Sequence, residues 1–239
     1  MRSLLVALSA ASLAAAPGAH ARPRIVVQIP STELTAEPDK IAIDTAAALI
    51  KQSKFVEAIA TLDPIIARYD AQWSHSDKLV FSARSTEETL MYSVLAQAGK
   101  IKRATVVIGP EWINALQLKA YSLVELNRVG DALPLIEKAV ALAPMNSKMF
   151  SELGYTQGRA GQFERALASY DSALSWSSLS PDQNKKAEEL RAHHGRGYVL
   201  TEMGKLDPAE AAYKKALALD HGDRIATHEL LYIASKRKP

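Results

Sequence analysis

Four histidines in the C-terminal third are the side chains of this chain best suited to binding a metal ion. His193 and His194 are adjacent, and His221 and His228 follow them. Adjacent residues on a helix point about 100° apart, so His193 and His194 cannot chelate one ion from a single helix face. Neither has another histidine three or four residues away, the usual helical spacing of metal ligands. The sequence therefore predicts no metal site, and we expect no cofactor.

Two pairs of neighbouring glutamates, Glu87-Glu88 and Glu188-Glu189, are the best candidates for general acid and base chemistry. Both pairs lie near predicted helix N-termini, where acidic side chains favour the helix dipole, and catalysis would require their burial in a pocket. The chain has no cysteine, so thiol chemistry is excluded. It also has no glycine-rich phosphate loop and no G-x-S-x-G or H-E-x-x-H motif. These observations favour a protein that is not an enzyme.

The N-terminal segment, residues 1–21, has the composition of a secretory signal peptide. Arg2 precedes an apolar run over residues 4–16, Pro17-Gly18 breaks any helix, and Ala19-His20-Ala21 matches an A-x-A cleavage site. We expect cleavage after Ala21. An alanine-rich signal with one arginine favours a periplasmic location, with an extracellular destination as the alternative. The run is too short to span a bilayer, so we expect no stable membrane insertion.

The composition of the 239 residues is that of an ordinary helical protein: 48% are apolar, 23% are charged, and there are 11 glycines and 11 prolines. The formal net charge of +3 falls to +2 without residues 1–21, which contain one arginine and no acidic residue. So small an excess of positive charge does not favour nucleic-acid binding. Without cysteine the exported chain would form no disulfide and carry no lipid on an N-terminal cysteine.

One pattern occurs three times between Leu116 and His221. It consists of a small residue at position i, alanine at i+12, a bulky residue at i+16 and a second alanine at i+19. The copies are Ala120, Ala132, Ile136, Ala139; Gly154, Ala166, Tyr170, Ala173; and Gly197, Ala209, Tyr213, Ala216. The step from the second copy to the third is longer than the step from the first to the second, which places nine extra residues at Ser177–Lys185. A repeat of this length predicts stacked helix pairs, because small residues let antiparallel helices approach closely.

The three copies resemble the tetratricopeptide repeat, whose pattern runs W-x-x-L-G-x-x-Y, then alanine, an aromatic residue and proline. The best match is Phe150, Leu153, Gly154, Ala166, Tyr170 and Ala173, with departures at Gln157 and Ser178. The resemblance is strong over residues 113–222 and weak over 39–110. It implies an all-α fold: a right-handed superhelical solenoid of antiparallel helix pairs, with a degenerate N-terminal part and a C-terminal capping helix. It also implies a concave groove, lined by the first helix of each pair, that binds a segment of a protein partner.

The chain is expected to have four parts: the signal peptide (1–21), an extended arm or linker (22–38), a degenerate helical region (39–110), and regular repeats with a capping helix (111–239). Within the degenerate region we expect a helical pair over 39–70, an irregular stretch at 71–84, a helix from about Ser85 to Gln97 and an extended connector at 105–110. Further helices are predicted at about 111–127, 131–142, 147–160, 163–177, 183–203, 207–219 and 223–236.

A row of tyrosines marks the predicted groove. The residue after each small mid-helix residue is Tyr121, Tyr155 or Tyr198. By helical periodicity the same face carries Lys148, Ser151, Arg159, Arg191, His194 and Glu202. Leaving out Glu202, we interpret these residues as a peptide-binding groove whose tyrosines and three cations suit an extended segment with acidic groups or a free carboxylate. In the alternative interpretation, the tyrosines only pack between adjacent first helices.

The sequence thus predicts a non-catalytic scaffold or adaptor of the bacterial envelope that binds a protein partner of unspecified identity. A second hypothesis is an enzyme or small-ligand binder with a site where residues 71–84 and 100–110 meet, which a closed polar pocket around Trp73, His75 and Arg84 would favour. A third hypothesis is a structural protein that associates with itself through its repeats. The repeat pattern does not specify the oligomeric state.

Overall fold

The structure, a computed structural model, describes residues 36–98 and 103–237. The signal peptide with its expected cleavage site and most of the predicted arm, residues 22–35, therefore lie outside the described residues. The described residues form ten α-helices, two short β-strands and one 3₁₀ turn. None of the described helices is both long enough and apolar enough to cross a membrane.

The helices are α1 (Ala36–Lys51), α2 (Phe55–Trp73), α3 (Thr86–Ala98), α4 (Glu111–Glu125), α5 (Val129–Leu142), α6 (Ser147–Arg159), α7 (Phe163–Trp176), α8 (Asp182–Glu202), α9 (Leu206–Leu219) and α10 (Arg224–Lys236). The strands are β1 (Leu79–Ser82) and β2 (Thr105–Ile108), and the 3₁₀ turn is Ser177–Leu179. The seven helices from α4 onward begin and end within two residues of the predicted bounds, and α3 matches the predicted helix. The helical solenoid of the tetratricopeptide class is confirmed.

Four helix pairs, α1–α2, α4–α5, α6–α7 and α8–α9, share one turn geometry. The central residue of each turn has a positive φ: 58° at Ser53, 58° at Asn127, 72° at Gly161 and 71° at Gly204. The next residue donates its backbone N–H to the carbonyl five residues earlier, at 2.8–2.9 Å: Lys54 to Leu49, Arg128 to Leu123, Gln162 to Gln157 and Lys205 to Leu200. This hydrogen bond ends a helix on a left-handed residue. The α1–α2 pair is therefore built like the three regular repeats, although its sequence matches the pattern weakly.

The alanines of the repeat pattern bring the two helices of each pair together. Ala132, Ala166 and Ala209 lie on the second helices and have no exposed surface, so they add little bulk inside the packed pairs. The pairs then stack in chain order, with α2 against α4, α5 against α6, α7 against α8 and α9 against α10. α10 covers the end of the last pair, which otherwise would expose the apolar face that stacking buries elsewhere.

Residues 79–98 and 105–108 form a strand–helix–strand unit between α2 and α4. β1 and β2 pair in parallel with Val80 opposite Val106, and α3 connects them. The expected irregular stretch at 71–84 is thus wrong for residues 71–73, which continue α2, and for Leu79–Ser82, and the expected extended connector at 105–110 is a paired strand over Thr105–Ile108. Sequence periodicity missed the sheet because β2 is buried along its whole length and shows no alternation, and its partner strand lies on the far side of α3 in the chain.

The strand–helix–strand unit packs on the nine-residue insertion, so the two departures from the repeat meet in space. The insertion forms the 3₁₀ turn and the first residues of α8, which at 21 residues is the longest described helix. Trp176, the last residue of α7, and Leu179 of the insertion join a core cluster with Phe81 and Tyr92 from the unit. The ring centroids of Phe81 and Tyr92 lie 5.0 Å apart, with their planes 16° apart.

Candidate peptide-binding groove

The first helices α4, α6 and α8 lie side by side, which puts the three aligned tyrosines in one row. The rings of Tyr121 and Tyr155 stack with centroids 6.0 Å apart and planes 25° apart. This contact is the packing between first helices that the alternative interpretation predicted. Tyr198 is different, since 46% of its surface is exposed. The row therefore combines a stacked pair with one open aromatic side chain.

Tyr155 is held in place by polar contacts at its hydroxyl. The hydroxyl donates to Glu125 Oε1 at 2.7 Å and accepts from Arg159 Nη1 at 3.0 Å. The Arg159 guanidinium also lies over the Tyr155 ring, 5.9 Å from its centroid. Burial and then the Glu125 carboxylate raise the pKa of Tyr155 to about 12. The ring is thus a fixed, uncharged surface at neutral pH.

A cavity of about 340 Å³ opens between α6, α8 and α10 at the end of the tyrosine row. It is lined by Tyr155, Gly158, Arg159, Tyr170, Arg191, His194, Gly195, Tyr198, Val199, Tyr213, Ile225 and Glu229. Five of the eight predicted groove residues are among them: Tyr155, Arg159, Arg191, His194 and Tyr198. Its floor is made by Tyr170, Val199 and Tyr213, which are buried. The volume falls in the range of small-ligand sites in proteins.

Glycines on the first helices make room for the tyrosines of the floor. A Cβ at Gly195 would overlap Tyr170 Cζ, and one at Gly154 would lie 3.0 Å from the same ring. Tyr170 is therefore lodged between α6 and α8, where a side chain at Gly195 would displace its ring and one at Gly154 would be tightly packed against it. Tyr213 occupies the next such space, where a Cβ at Gly197 would lie 2.6 Å from its ring. The sequence pattern contains Gly154 and Gly197 but not Gly195.

Two of the three groove cations, and His194, already have carboxylate partners within the chain. Arg191 Nη1 lies 2.5 Å from Oε1 of the buried Glu152, and Arg159 Nη1 lies 3.7 Å from Glu125 Oε1. His194 Nε2 contacts Asp223 Oδ2. Because these charges are compensated, they attract an acidic ligand less than their number suggests.

The contact between His194 and Asp223 also fixes the capping helix. Oδ1 of Asp223 accepts from the backbone N–H groups of Ile225 and Ala226, both at 3.0 Å, and so caps the N-terminus of α10. Burial acts to raise the pKa of Asp223, but the hydrogen bond from Ala226 and the contact with His194 outweigh it, so the pKa is lowered. This cap sets Ile225 and Glu229 of α10 at the cavity wall.

The other three predicted groove residues lie outside the cavity. Tyr121 does not line the cavity, but its ring stacks on Tyr155, which does. Lys148 is half-buried, and burial lowers its pKa, with the nearby charges of Glu152 and Arg191 acting in opposite directions. Ser151 is buried, and its hydroxyl has no hydrogen-bond partner among the described residues. Ser151 is thus part of the helix packing instead of the open surface.

Sequence reasoning missed the other cavity residues for two reasons. Tyr170 and Tyr213 lie in the repeat pattern, where their spacing predicts only packing. They also line the cavity, because the glycines opposite them leave room for their rings. Ile225 and Glu229 belong to the capping helix, and no spacing relates them to the first helices. Gly195 carried a usable signal, since a glycine inside a helix lowers helix stability and often marks a close approach of two elements.

The histidines and paired glutamates do not come together as a metal or catalytic site. Within residues 36–98 and 103–237 there is no group of three or more His, Cys, Asp or Glu placed to hold a metal ion. Burial lowers the pKa of His193, whose Nδ1 is enclosed between helices. Glu88 and Glu188, one from each glutamate pair, both bind Arg84. These carboxylates therefore serve an ion cluster between elements.

A cleft lies at the junction that the small-ligand hypothesis names, and its lining differs from the expected one. An open cleft of about 410 Å³ lies where α2, β1 and α5 meet, and Trp73, Lys78, Arg103, Trp112 and Lys138 line it. His75 and Arg84 are not among its lining residues. Arg84 instead binds Glu88 and Glu188, so the described residues do not bring Trp73, His75 and Arg84 together in this cleft.

Comparison with known proteins gives the same family as the repeat pattern. Two sequence models of the Tetratricopeptide repeat match the chain, over residues 118–185 and 190–221. The solved structure of pilF from Pseudomonas aeruginosa shares 14% sequence identity, covers 84% of this chain and 69% of its own, and has a TM-score of 0.57. The structure of the MamA RS-1 ArsTM double mutant shares 13% identity, covers 84% and 86% of the two chains, and has a TM-score of 0.50. No curated protein matches the chain.

Proposed function

Because this chain is a tetratricopeptide-repeat protein with an open row of aromatic side chains on its first helices, we propose that it is a non-catalytic adaptor. In this proposal an extended segment of a partner protein lies in the concave groove, across α4, α6 and α8. Repeat solenoids present extended surfaces of this kind to their partners. The strand–helix–strand unit and the insertion stabilise the scaffold through their shared core cluster and the Arg84 ion pairs.

The observation that carries the proposal is the tyrosine row ending in an apolar cavity. Tyrosine offers a large contact area at a small cost in side-chain entropy, so it is favoured in binding surfaces. The Tyr155 ring is fixed by Glu125 and Arg159, which makes it a rigid contact surface. A segment bound here would find one stacked pair, one exposed ring and one cavity in order along the groove.

The charged side chains of the groove would orient a bound segment more than they would strengthen its binding. Arg159 and Arg191 have carboxylate partners in the free protein, so a ligand carboxylate would have to compete with Glu125 and Glu152. Since both arginines already have partners, we infer that apolar contacts supply most of the binding free energy. Lys148 is the exception among the groove cations, because no carboxylate of a described residue lies within ion-pair distance of its ammonium group.

The site of action in the proposal is the bacterial envelope. It rests on the signal-like composition of residues 1–21, with their A-x-A motif. Cleavage of this segment would release a chain whose described helices include none able to cross a membrane. A protein partner in the periplasm fits this proposal.

Site-specific photo-crosslinking in the producing cells tests the proposal. A photoreactive phenylalanine derivative is placed at Tyr121 or Tyr198 in the groove, and at the exposed Ser175 of α7 as the control. We expect both groove positions to trap the same partner and the control position to trap none. The trapped protein, identified by mass spectrometry, should then bind the purified chain. Replacing Tyr155 and Arg159 together by alanine should weaken this binding about tenfold or more, as loss of a buried contact residue does.

Three outcomes would refute the adaptor proposal. One is equal crosslinking from Ser175 and from the groove positions. Another is unchanged partner binding by the folded double variant of Tyr155 and Arg159. The third is an adduct between two copies of this chain as the main product, which would favour the self-association hypothesis. Size-exclusion chromatography with light scattering would then give the number of copies.

A further inference from the structure

We propose that the cavity between α6, α8 and α10 binds one large apolar side chain, aromatic or branched aliphatic, of the partner segment. This inference rests on the proposed function and adds the residue class that the groove selects. It places the anchoring subsite at the contact of the last repeat with the capping helix, not at the centre of the tyrosine row.

The walls of the cavity suit an uncharged apolar group. The buried Tyr170, Val199 and Tyr213 line the cavity, so most of its lining is carbon. Arg159 and Arg191 stand at the wall, but each is compensated by a glutamate of the chain. An apolar side chain entering the cavity therefore removes apolar surface from water without stripping an unpaired charge. An acidic side chain would find only the arginines that already have glutamate partners, so little would offset its own loss of hydration. Glu229 of α10 is the one acidic residue among the described lining residues, and its partly exposed carboxylate lies beside His228.

The rim of the cavity exposes apolar surface that a partner would cover. Tyr198 of α8 is 46% exposed and Ile225 of α10 is 57% exposed, and both line the same opening. Large apolar side chains exposed together on two elements mark interaction sites in soluble proteins. Together with the floor, they would enclose a side chain on several sides.

The occupant is a side chain of an extended segment, because the cavity is continuous with the tyrosine row. Tyr155 belongs to both: it stacks on Tyr121 and lines the cavity. A segment that lies along the tyrosine row therefore passes over the opening of the cavity. The volume of about 340 Å³ exceeds one aromatic side chain and leaves room for the neighbouring backbone. A second copy of this chain would have to insert a protruding side chain at the same place.

Gly158→Leu tests the subsite directly. Gly158 lines the cavity, and a Cβ there would meet only Val199 Cγ2, at 3.8 Å, an ordinary contact. Leucine at this position would occupy the cavity, and it favours the helix more than glycine does, so the variant should fold. Gly130→Leu is the matched control, since Gly130 lies in α5 with nothing within 4 Å of its Cβ position.

Binding is measured with peptides selected from a random phage-displayed library on the full chain. We expect the selected peptides to share one large apolar residue. Their affinity should fall about tenfold to a hundredfold with Gly158→Leu, which corresponds to losing the burial of one such side chain. It should be unchanged with Gly130→Leu. Replacing the shared apolar residue by alanine should weaken binding to the wild type but not further weaken binding to the Gly158→Leu variant.

The possible results separate this inference from the proposed function. Selected peptides that bind Gly158→Leu and wild type equally would overturn the subsite and leave the groove as the binding site. If no peptide is selected, the adaptor proposal loses its support, and the cavity is tested alone with N-acetylphenylalaninamide. Methyl signals of Val199 and Ile225 that shift with this probe, and do not shift in Gly158→Leu, would support the subsite. Unchanged methyl signals in the wild type would overturn it.

Discussion

Among individual residues, the glycines of the first helices are steric requirements of the tyrosines opposite them. Tyr170 crosses from α7 to lie between Gly154 and Gly195, and its ring forms part of the cavity floor. A glycine inside a helix lowers stability by about 0.5–1 kcal/mol relative to alanine. At Gly195 that cost is offset because any side chain would displace a buried ring. The same residues therefore serve both packing and the binding surface.

Gly195→Ala should destabilise the protein by about 1–3 kcal/mol, because the added methyl group overlaps the Tyr170 ring in a closely packed region. Gly130→Ala should instead stabilise it by about 0.5–1 kcal/mol, since that position is open and helical. Urea denaturation of both variants measures the two changes. Equal stability of Gly195→Ala and wild type would show that Tyr170 can move aside, and the steric argument would then be wrong.

Between elements, a buried ion cluster joins the strand–helix–strand unit to the third repeat. Arg84, which follows β1, donates from Nε to Glu88 Oε1 at 2.9 Å and from Nη1 to Glu188 Oε1 at 2.6 Å. Ser180 of the insertion donates to the other oxygen of Glu188 at 2.6 Å. The side chain of Glu88 has no exposed surface, and those of Arg84 and Glu188 are 9% exposed. One arginine thus holds together two elements that the repeat pattern does not connect.

Arg84→Met should cost about 3–5 kcal/mol of unfolding free energy, because it leaves two buried carboxylates without a cation. Glu188→Gln should cost clearly less, since Arg84 keeps Glu88 as its partner and the glutamine can still accept from Ser180. Chemical denaturation compares the variants, and hydrogen exchange shows whether protection falls first around β1 and the start of α8. A smaller loss for Arg84→Met than for Glu188→Gln would contradict the role given to the arginine.

Across the full solenoid, similar pairs stack in a line, and tyrosines are buried at several points along it. Burial raises the pKa of Tyr69 in α2 to about 12 and that of Tyr155 in α6 to about 12, and it also raises the pKa values of Tyr92, Tyr170 and Tyr213. In each case the folded protein favours the neutral phenol. The stacked array as a whole therefore depends on these groups staying protonated.

Stability should fall steeply on the alkaline side. A tyrosine whose pKa is raised on folding contributes stability that is complete below its ordinary pKa of 10.0 and is lost as the pH rises through the folded value of about 12. Burial lowers the pKa of Lys148, which acts in the opposite direction but through a single group. Urea midpoints measured from neutral pH to about pH 12, with tyrosinate absorbance, test this expectation. Constant midpoints across that range would contradict it.

The repeat architecture could be predicted from sequence, because the contacts within a helix pair are encoded at short and regular spacings. Tyr170 follows Gly154 at a fixed offset and packs against it across one turn, so periodicity alone places both. The helix bounds from α4 onward and the row of Tyr121, Tyr155 and Tyr198 follow from the same spacing. The α1–α2 pair was predicted as helices, and its equivalence to the repeats became clear from the turn at Ser53.

What the groove can bind depends on contacts that the sequence pattern does not contain. The pairing of Arg191 with Glu152 and of His194 with Asp223 depends on distances between helices, which no helical period encodes. The cavity likewise forms only where the capping helix supplies part of its wall, and each of the two parallel strands is hydrogen-bonded by the other. The physical reason is range: hydrophobic periodicity records which face of an element is buried, whereas charge compensation and cavity shape arise from packing between elements distant in sequence.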